Sequence, residues 1–228
     1  MKNQFLLSTC FVLFTTSLSA QERVSTKVAA GDDLNEALAT SRYLFADFQD
    51  ARVIVSNGTY QVKMNYNALT DEMDFFDDSG TLVTLPKNNV RAIYFGERLF
   101  RYSPNGYVEL LSGRNLDFDL LIHRKFNMVS SKKQGAYGTT SETTSISSFS
   151  QISTESGIKQ LSVVEDVTYQ KTNIYYLYDG SRYYVANKSG FKKVFGKQKP
   201  DLDNWLKNNP VNYTKEKDII RLFTYCIE

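Results

Sequence analysis

Two aspartates in one predicted strand have the spacing that comes closest to a catalytic arrangement. Asp117 and Asp119 alternate with apolar residues between positions 116 and 122, so both carboxylates are predicted on the polar face of that strand. A pair of carboxylates is the machinery of glycoside hydrolases, which makes a small hydrolase one hypothesis. An antiparallel sheet also exposes polar residues to solvent on one face, and we favour this simpler interpretation.

The single histidine, His123, continues the same polar face. An imidazole acts as a general base only when the fold places a nucleophile or an acid beside it, and the sequence places none. We therefore predict a surface histidine and no catalytic residue. One histidine and the one cysteine of the mature chain, Cys226, are too few for a metal site of the His and Cys type, and we expect no cofactor.

A group of acidic residues raises the question of calcium, because carboxylate oxygens are preferred ligands of that ion. The group comprises Asp71, Glu72, Asp74, Asp77 and Asp78. It lacks the alternating ligands and the distal glutamate of a calcium loop. We interpret it as a turn between strands with acidic edges.

Tyrosines of a predicted C-terminal hairpin form a candidate binding surface. Residues 173–178 and 181–186 flank an Asp-Gly dipeptide, which is typical of two-residue hairpin turns. Such a turn pairs Tyr176 with Tyr183 and Tyr175 with Tyr184. Both faces of the hairpin then become aromatic. Either the helices that follow cover the outer face, which we favour, or that face is an exposed contact surface.

A lysine cluster follows the hairpin and comprises Lys188, Lys192, Lys193, Lys197 and Lys199. Such a cluster indicates either a solvated face or a site for an anionic ligand or surface, and we favour the solvated face.

Short strands are the elements that must position these residues. Residues 52–126 contain about eight stretches with strand patterns, separated by turn signals. The predicted strands are 52–56, 59–66, 72–77, 81–85, 90–95, 98–102, 107–111 and 116–126. Connections this short exclude parallel pairing, which requires a crossover of about a dozen residues. We therefore predict a continuous up-and-down antiparallel β-meander, either a curled sheet or a partly open barrel.

Helices are predicted at both ends of this α+β chain. Apolar residues recur three and four apart over residues 33–47, which predicts an N-terminal helix. Three short helical patterns follow the hairpin, with Ser189, Pro200 and Thr214 as start signals. Residues 130–158 are rich in Ser and Thr and poor in apolar side chains, which predicts a flexible loop.

The first 20 residues are typical of a secretory signal peptide. Lys2 precedes a short apolar core, and small residues up to Ala20 predict cleavage before Gln21. The core has about half the length that a membrane-spanning helix needs, so we predict export to the periplasm or the outside without a transmembrane span. Loss of Lys2 lowers the basic count from 27 to 26, against 25 acidic residues, and this balance disfavours a nucleic-acid partner.

A set of strand-and-turn stretches runs through most of the mature chain. It comprises Phe48 with residues 53–58, then 64–67, 71–75, 100–102, 106–110, 176–180, 192–195 and 215–223. In these stretches the chain resembles a group of exported proteins of Bacteroidota-type bacteria that have no established activity. The resemblance implies export and one integrated architecture, and it implies no functional residue.

The sequence thus predicts four parts: a signal peptide (1–20), an N-terminal helix with the meander (21–129), the flexible loop (130–158) and a hairpin with C-terminal helices (159–228). We expect a non-enzymatic exported protein that contacts another protein at the cell envelope. The alternative is a carbohydrate-binding module in which aromatic side chains act as stacking platforms for a glycan.

Overall fold

The computed structural model describes residues 25–29, 32–39, 41–113, 117–134, 140–143 and 166–228. Its strands are β1 Ser25–Val28, β2 Gln49–Val55, β3 Gly58–Asn67, β4 Glu72–Phe76, β5 Leu82–Thr84, β6 Val90–Phe95, β7 Arg98–Ser103, β8 Gly106–Ser112, β9 Asp119–Gln134, β10 Thr140–Thr143, β11 Asp166–Tyr178 and β12 Tyr183–Val185. Its helices are α1 Leu34–Ala37, α2 Lys188–Phe195, α3 Leu202–Asn208 and α4 Glu216–Ile227. The predicted signal peptide lies outside the described residues.

The strands form one antiparallel sheet, as predicted. Its order is β1-β11-β9-β8-β7-β6-β2-β3-β4-β5, with β10 paired to β9 and β12 paired to β11. The sheet is not closed, because β1 and β5 end this path without pairing to each other.

One connection departs from the predicted up-and-down order. Strand β6 pairs with β2 instead of with β5, the strand that precedes it in the chain. The chain from Thr84 to Val90 therefore crosses β4, β3 and β2. Six residue steps reach about 20 Å, and four strand spacings of about 4.8 Å require about 19 Å, so even this short connection can make the crossing. The prediction of a continuous meander was wrong at this connection.

The predicted helix over residues 33–47 was also wrong beyond its first turn. Helix α1 ends at Ala37, and irregular backbone leads from Ser41 to Phe48. The Asn65 side chain accepts a hydrogen bond from the Phe45 amide (3.1 Å) and donates to the carbonyl oxygens of Phe45 (2.9 Å) and Asp47 (3.2 Å). These bonds satisfy a backbone that has left the helix, while the Phe45 ring still reaches the core, 5.0 Å from the Phe95 ring.

Part of the predicted Ser/Thr-rich loop is strand. Strand β9 continues to Gln134, β10 pairs with its end, and β11 pairs with it from the other side up to Lys132. Threonine is β-branched and suits strands, and the long β11 offers backbone partners to β9 on both sides of a register shift at Thr168 and Tyr169. Residues 135–139 and 144–158 of that prediction lie outside the described residues.

Two apolar clusters hold the fold together. We call the first the sheet core; it includes Val53, Met64, Tyr66, Met73, Ile93, Phe100, Tyr107 and Phe126. We call the second the helix core; it includes Leu120, Ile122, Tyr175, Leu177, Phe191, Phe195, Ile219, Leu222 and Phe223. Helices α2, α3 and α4 supply its outer half.

Helix α2 begins two residues earlier than a cap at Ser189 requires. The Asn187 side chain accepts the Gly190 amide (2.9 Å) and caps the helix, so Ser189 lies inside it.

Candidate functional site

His123 is fully buried, which contradicts its prediction as a surface residue. Its Nε2 lies 3.2 Å from Oδ1 of Asp71, in the turn between β3 and β4. The predicted alternation holds only from Asp119, where β9 begins, and the face that carries His123 and Leu121 is covered here. The covering turn comes from more than 50 positions earlier in the chain, so the local pattern could not reveal it.

The turn that carries Asp71 fills a gap between β8 and β9, which we call the seam. The pairing of Glu109 with Ile122 would place Tyr107 opposite Arg124 if the two strands continued together. Instead, Asp71 Oδ1 accepts the Tyr107 amide (3.0 Å). Asp71 thereby replaces a ladder partner of β8.

Tyr66 and Ala68 complete the seam on the side of β9. The Tyr66 hydroxyl lies 2.7 Å from the carbonyl oxygen of Arg124 and 2.8 Å from Asp71 Oδ1. The Phe126 amide donates to the carbonyl oxygen of Ala68 (2.9 Å). The open ladder groups of both strands are thus satisfied by the inserted turn.

Gly106 allows the close approach of Asp71. Its φ is +104°, and a Cβ at this position would lie 1.8 Å from Asp71 Oδ2. Only glycine combines this backbone conformation with the space that the carboxylate needs.

The tyrosines of the seam are held in their neutral form. Burial raises the pKa of Tyr66 well above its ordinary value, and the negative charge of Asp71 raises it further. Burial and Asp71 also raise the pKa of Tyr107. The His123 ring is enclosed, and its Nδ1 has no hydrogen-bond partner among the described residues. This arrangement favours a structural seam over an acid-base centre.

Glu109 is a buried carboxylate, and sequence reasoning missed it. Arg98 binds it with two hydrogen bonds, from Nε to Oε1 (2.6 Å) and from Nη2 to Oε2 (2.8 Å), and Arg124 Nη1 contacts Oε2. The Arg98 guanidinium also lies over the rings of Phe45 and Phe100. A lone acid within the apolar β8 sequence was the signal that could have revealed this site.

This group of charges lies where the two apolar clusters meet, and we call it the junction. On β9, Arg124 shares a strand face with Ile122 of the helix core and Phe126 of the sheet core, and it lies between them. Arg124 Nη2 also lies 3.9 Å from Glu216 Oε2, at the start of α4. The junction therefore links the sheet to the C-terminal helices.

The structure does not bring Asp117 and Asp119 together as a carboxylate pair. Strand β9 begins only at Asp119, and Asp117 is exposed before it. Asp119 instead forms an ion pair with Arg101 (2.5 Å). The predicted placement of both carboxylates on one strand is therefore not observed.

The acidic group of residues 71–78 is divided among separate roles. Asp74 is buried and accepts hydrogen bonds from Tyr43 (3.1 Å), Asn67 (2.9 Å) and Thr84 (3.0 Å). Asp77 accepts the amides of Ser79 and Thr81, both at 2.9 Å. Within the described part of the chain, no three His, Cys, Asp or Glu side chains are grouped so that they could hold a metal ion.

The hairpin of β11 and β12 has a different register from the predicted one. The pairs are Tyr176 with Val185, Leu177 with Tyr184 and Tyr178 with Tyr183. The turn extends from Asp179 to Arg182, because the Asp179 side chain accepts the amides of Ser181 (2.9 Å) and Arg182 (2.7 Å). These bonds, the Arg182 amide foremost, lower the pKa of Asp179 to about 2. A side chain that accepts both amides stabilises a longer turn than the dipeptide alone predicts.

The two faces of the hairpin have unlike surroundings. Tyr175 and Leu177 lie in the helix core, and Tyr184 packs against it. Tyr176, Tyr178, Tyr183 and Val185 lie on the opposite face, which we call the tyrosine face. Its tyrosines are half-buried, belong to neither apolar cluster, and are joined by Val185, which is 49% exposed. The favoured prediction, that the C-terminal helices cover the hairpin, is correct for one face only.

Aromatic rings and charged side chains lie together at one edge of the tyrosine face. The rings of Tyr178 and Tyr183 lie 4.6 Å apart with an interplanar angle of 33°. Burial raises the pKa of Tyr183, against the positive charge of the nearby Arg101, which is paired with Asp119. Burial also raises the pKa of Tyr176, and the charge of Asp71 adds to this effect. Both hydroxyls therefore remain neutral donors near pH 7.

The lysine cluster borders an open cavity of about 470 Å³ lined by Lys188, Ser189, Lys192 and Lys193. Lys192 pairs with Asp203 (2.6 Å), and the Lys199 ammonium lies 5.3 Å from the centre of the Tyr225 ring. Two of the five lysines thus have partners within the protein.

Comparison of the chain with protein-family models, with curated proteins and with solved structures gave no match. Among the described helices, none is both long enough and apolar enough to cross a membrane.

Proposed function

We propose that the protein is an exported, non-enzymatic binding protein that contacts another protein of the cell envelope through its tyrosine face. The observation that carries the proposal is the asymmetry of the hairpin. One face lies in the helix core, while Tyr176, Tyr178 and Tyr183 on the other face remain half-buried beside an exposed Val185. Export rests on the signal pattern of residues 1–20.

The residue types of this face suit a protein partner. Tyrosine and arginine are enriched at the energetic centres of protein interfaces, and a tyrosine ring buries much area while only two torsion angles lose freedom. The pair of Arg101 with Asp119 adjoins the rings and supplies the polar border that such interfaces have. The neutral hydroxyls can donate hydrogen bonds to backbone carbonyls of the partner.

Photo-crosslinking in cells tests the proposal. A photoreactive amino acid replaces Val185, and the matched control carries it in place of Tyr60, which is 55% exposed on β3. We expect one adduct of defined mass from position 185 and none from position 60. The double variant Tyr178→Ser with Tyr183→Ser should remove that adduct while its thermal unfolding remains cooperative. Equal adducts from both positions, or none from either, would contradict the proposal.

A carbohydrate-binding module is the second candidate, because the tyrosine face presents several aromatic rings, among them the packed pair Tyr178 and Tyr183, against which a sugar ring could stack. The two functions are distinguished by a glycan array. Glycan binding that the same double variant loses, together with the absence of a protein adduct at position 185, would favour the carbohydrate.

A further inference from the structure

The end strand β5 presents unpaired backbone groups on one side. Val83 pairs with Phe75, and the bonds from Asp77 to Thr81 (3.0 Å) and from Leu85 to Met73 (2.8 Å) bracket that pair. In an antiparallel ladder, backbone groups alternate between the two sides of a strand. Residues 81, 83 and 85 therefore direct their groups toward β4, and residues 82 and 84 direct theirs outward.

No strand of the described chain pairs with this outer side, since the order of the sheet ends at β5. A row of unpaired amides and carbonyls is a template for another strand. Many edge strands are protected by a lysine or a proline within the strand, but here Pro86 and Lys87 follow it. With three residues, β5 can accept only a short segment.

Apolar side chains reach this edge on the outer face of the sheet. Phe76 and Leu82 are paired across β4 and β5 and are 50% and 38% exposed. The Phe76 ring lies 4.9 Å from the Phe48 ring, which lies 5.3 Å from that of Tyr43. A continuous apolar strip therefore adjoins the free backbone groups of Leu82 and Thr84.

The charge around the strip is negative. Residues 41–87 contain seven acidic and four basic side chains; of the acidic ones, Asp74 is buried and Asp71 is bound in the seam. Asp77 and Asp78 follow Phe76 and are exposed, and hydrogen bonds from Ser79 and Thr81 lower the pKa of Asp77. The nearby Lys63 is paired with Asp50 (3.0 Å). The complementary partner is therefore basic.

We propose that β5 is a docking site for an extended basic segment of a partner protein, which adds to the sheet as an additional strand. Its backbone pairs with Leu82 and Thr84, one apolar side chain packs against Phe76 and Leu82, and a lysine or arginine faces Asp77 and Asp78. This site is separate from the tyrosine face and does not depend on it. Backbone pairing supplies affinity in such complexes, and the side chains supply selectivity.

Peptide binding to the full mature chain tests the site. The probe is a blocked, fluorescent heptapeptide in which lysine alternates with valine and leucine, and the control peptide has glutamate in place of every lysine. We expect the basic peptide to bind at least about tenfold more tightly, and added salt should weaken its binding because the charges are exposed. Hydrogen exchange should slow at the amides of Leu82 and Thr84.

Two variants and a matched control locate the binding. Leu82→Lys and Phe76→Ser should each weaken binding of the basic peptide by about tenfold, since both remove apolar contact at the edge. Tyr60→Ser is the control: Tyr60 is 55% exposed but lies on the opposite face of the sheet from Phe76. The Tyr60→Ser variant should bind the basic peptide as tightly as the unaltered protein does. Thermal unfolding verifies that each variant is folded.

Three outcomes would overturn the proposal. The first is no binding of the basic peptide at 1 mM, and the second is equal binding of the acidic peptide. The third is a dimer in sedimentation that Leu82→Lys dissociates, because the occupant of the edge would then be a second copy of this chain.

Discussion

The seam and the junction each contain a carboxylate held inside the fold, half-buried at the seam and buried at the junction, but the two groups are held in opposite ways. Glu109 at the junction is bound by the guanidinium groups of Arg98 and Arg124. Asp71 at the seam accepts from a backbone amide and lies within hydrogen-bond distance of a tyrosine hydroxyl and of the ring of His123. At the junction, the negative carboxylate is paired with positive guanidinium groups. At the seam, the carboxylate accepts a backbone hydrogen bond that a neighbouring strand would otherwise accept.

This difference indicates what each site does for the fold. The junction lies between the sheet core and the helix core, where a polar group would be costly unless it is fully paired. The seam lies where two strands separate, and there the requirement is for hydrogen-bond acceptors at fixed positions. Removal of charge should therefore damage the junction most, and steric displacement should damage the seam most.

The largest effect is expected from Glu109→Ala. Removal of this carboxylate leaves two guanidinium groups without their shared partner at the boundary of both cores. Loss of one partner of a buried ion pair costs about 3 kcal/mol or more. We expect a loss of about 3 kcal/mol in the free energy of unfolding, measured by urea denaturation.

Asp50→Ala is the matched control for that variant. Its ion pair with Lys63 is exposed on both sides, and exposed pairs contribute about 0–1 kcal/mol. If the two variants lose equal stability, the junction is not a stabilising element.

Gly106→Ala should have the next largest effect, through the seam. A methyl group at this position meets the Asp71 carboxylate, and the φ of +104° is strained for any side chain. We expect a loss of about 3 kcal/mol or slightly less, with faster hydrogen exchange at the amides of Tyr107 and Phe126.

Gly96→Ala separates backbone strain from steric displacement. Gly96 also has a positive φ, +57°, but a Cβ there has no neighbour within 4 Å. It should cost about 1 kcal/mol, and exchange at the seam should not change. Similar losses in both glycine variants would show that the contact with Asp71 is unimportant.

Much of the sheet could be predicted from the sequence because strand signals are local. The stretch 90–95 has the boundaries of β6, and the other predicted strands between 52 and 111 differ from β2 to β8 by a few residues at their ends. Alternation and turn residues are properties of neighbouring positions, and they fix strands and antiparallel pairing together. The placement of β6 beside β2 depends on the curl of the whole sheet, which no local pattern records.

The candidate sites were less predictable for the same reason. His123 lies on a polar strand face that a distant turn covers, and Glu109 finds its arginines on two neighbouring strands. The hairpin tyrosines were found, but their cross-strand partners were assigned wrongly because the Asp179 side chain lengthens the turn. A single-strand pattern shows which residues share a face, and it does not show what covers that face.

The smallest expected effect is a loss of folding stability at alkaline pH, which should arise at the seam and not at the junction. The folded-state pKa values of Tyr66 and Tyr107 are raised, mainly by burial and then by Asp71, so the folded protein favours their neutral forms. The stabilisation is complete below the pKa of tyrosine in the unfolded chain, which is about 10. It is lost as the pH rises toward the pKa values of the two tyrosines in the folded protein. Arginine side chains stay charged in this range, so the junction should not contribute to the loss.

Tyr66→Phe tests this assignment. At pH 8 it should cost about 1–2 kcal/mol, because the carbonyl oxygen of Arg124 loses its hydroxyl donor. Between pH 10 and 11 the unaltered protein should lose up to about 1.4 kcal/mol of stability for each such tyrosine, and the variant should lose correspondingly less. Urea midpoints at each pH measure both quantities. If the variant and the unaltered protein lose equal stability above pH 10, the alkaline sensitivity comes from other groups. The stability of the seam would then be independent of pH in this range, as expected for the junction.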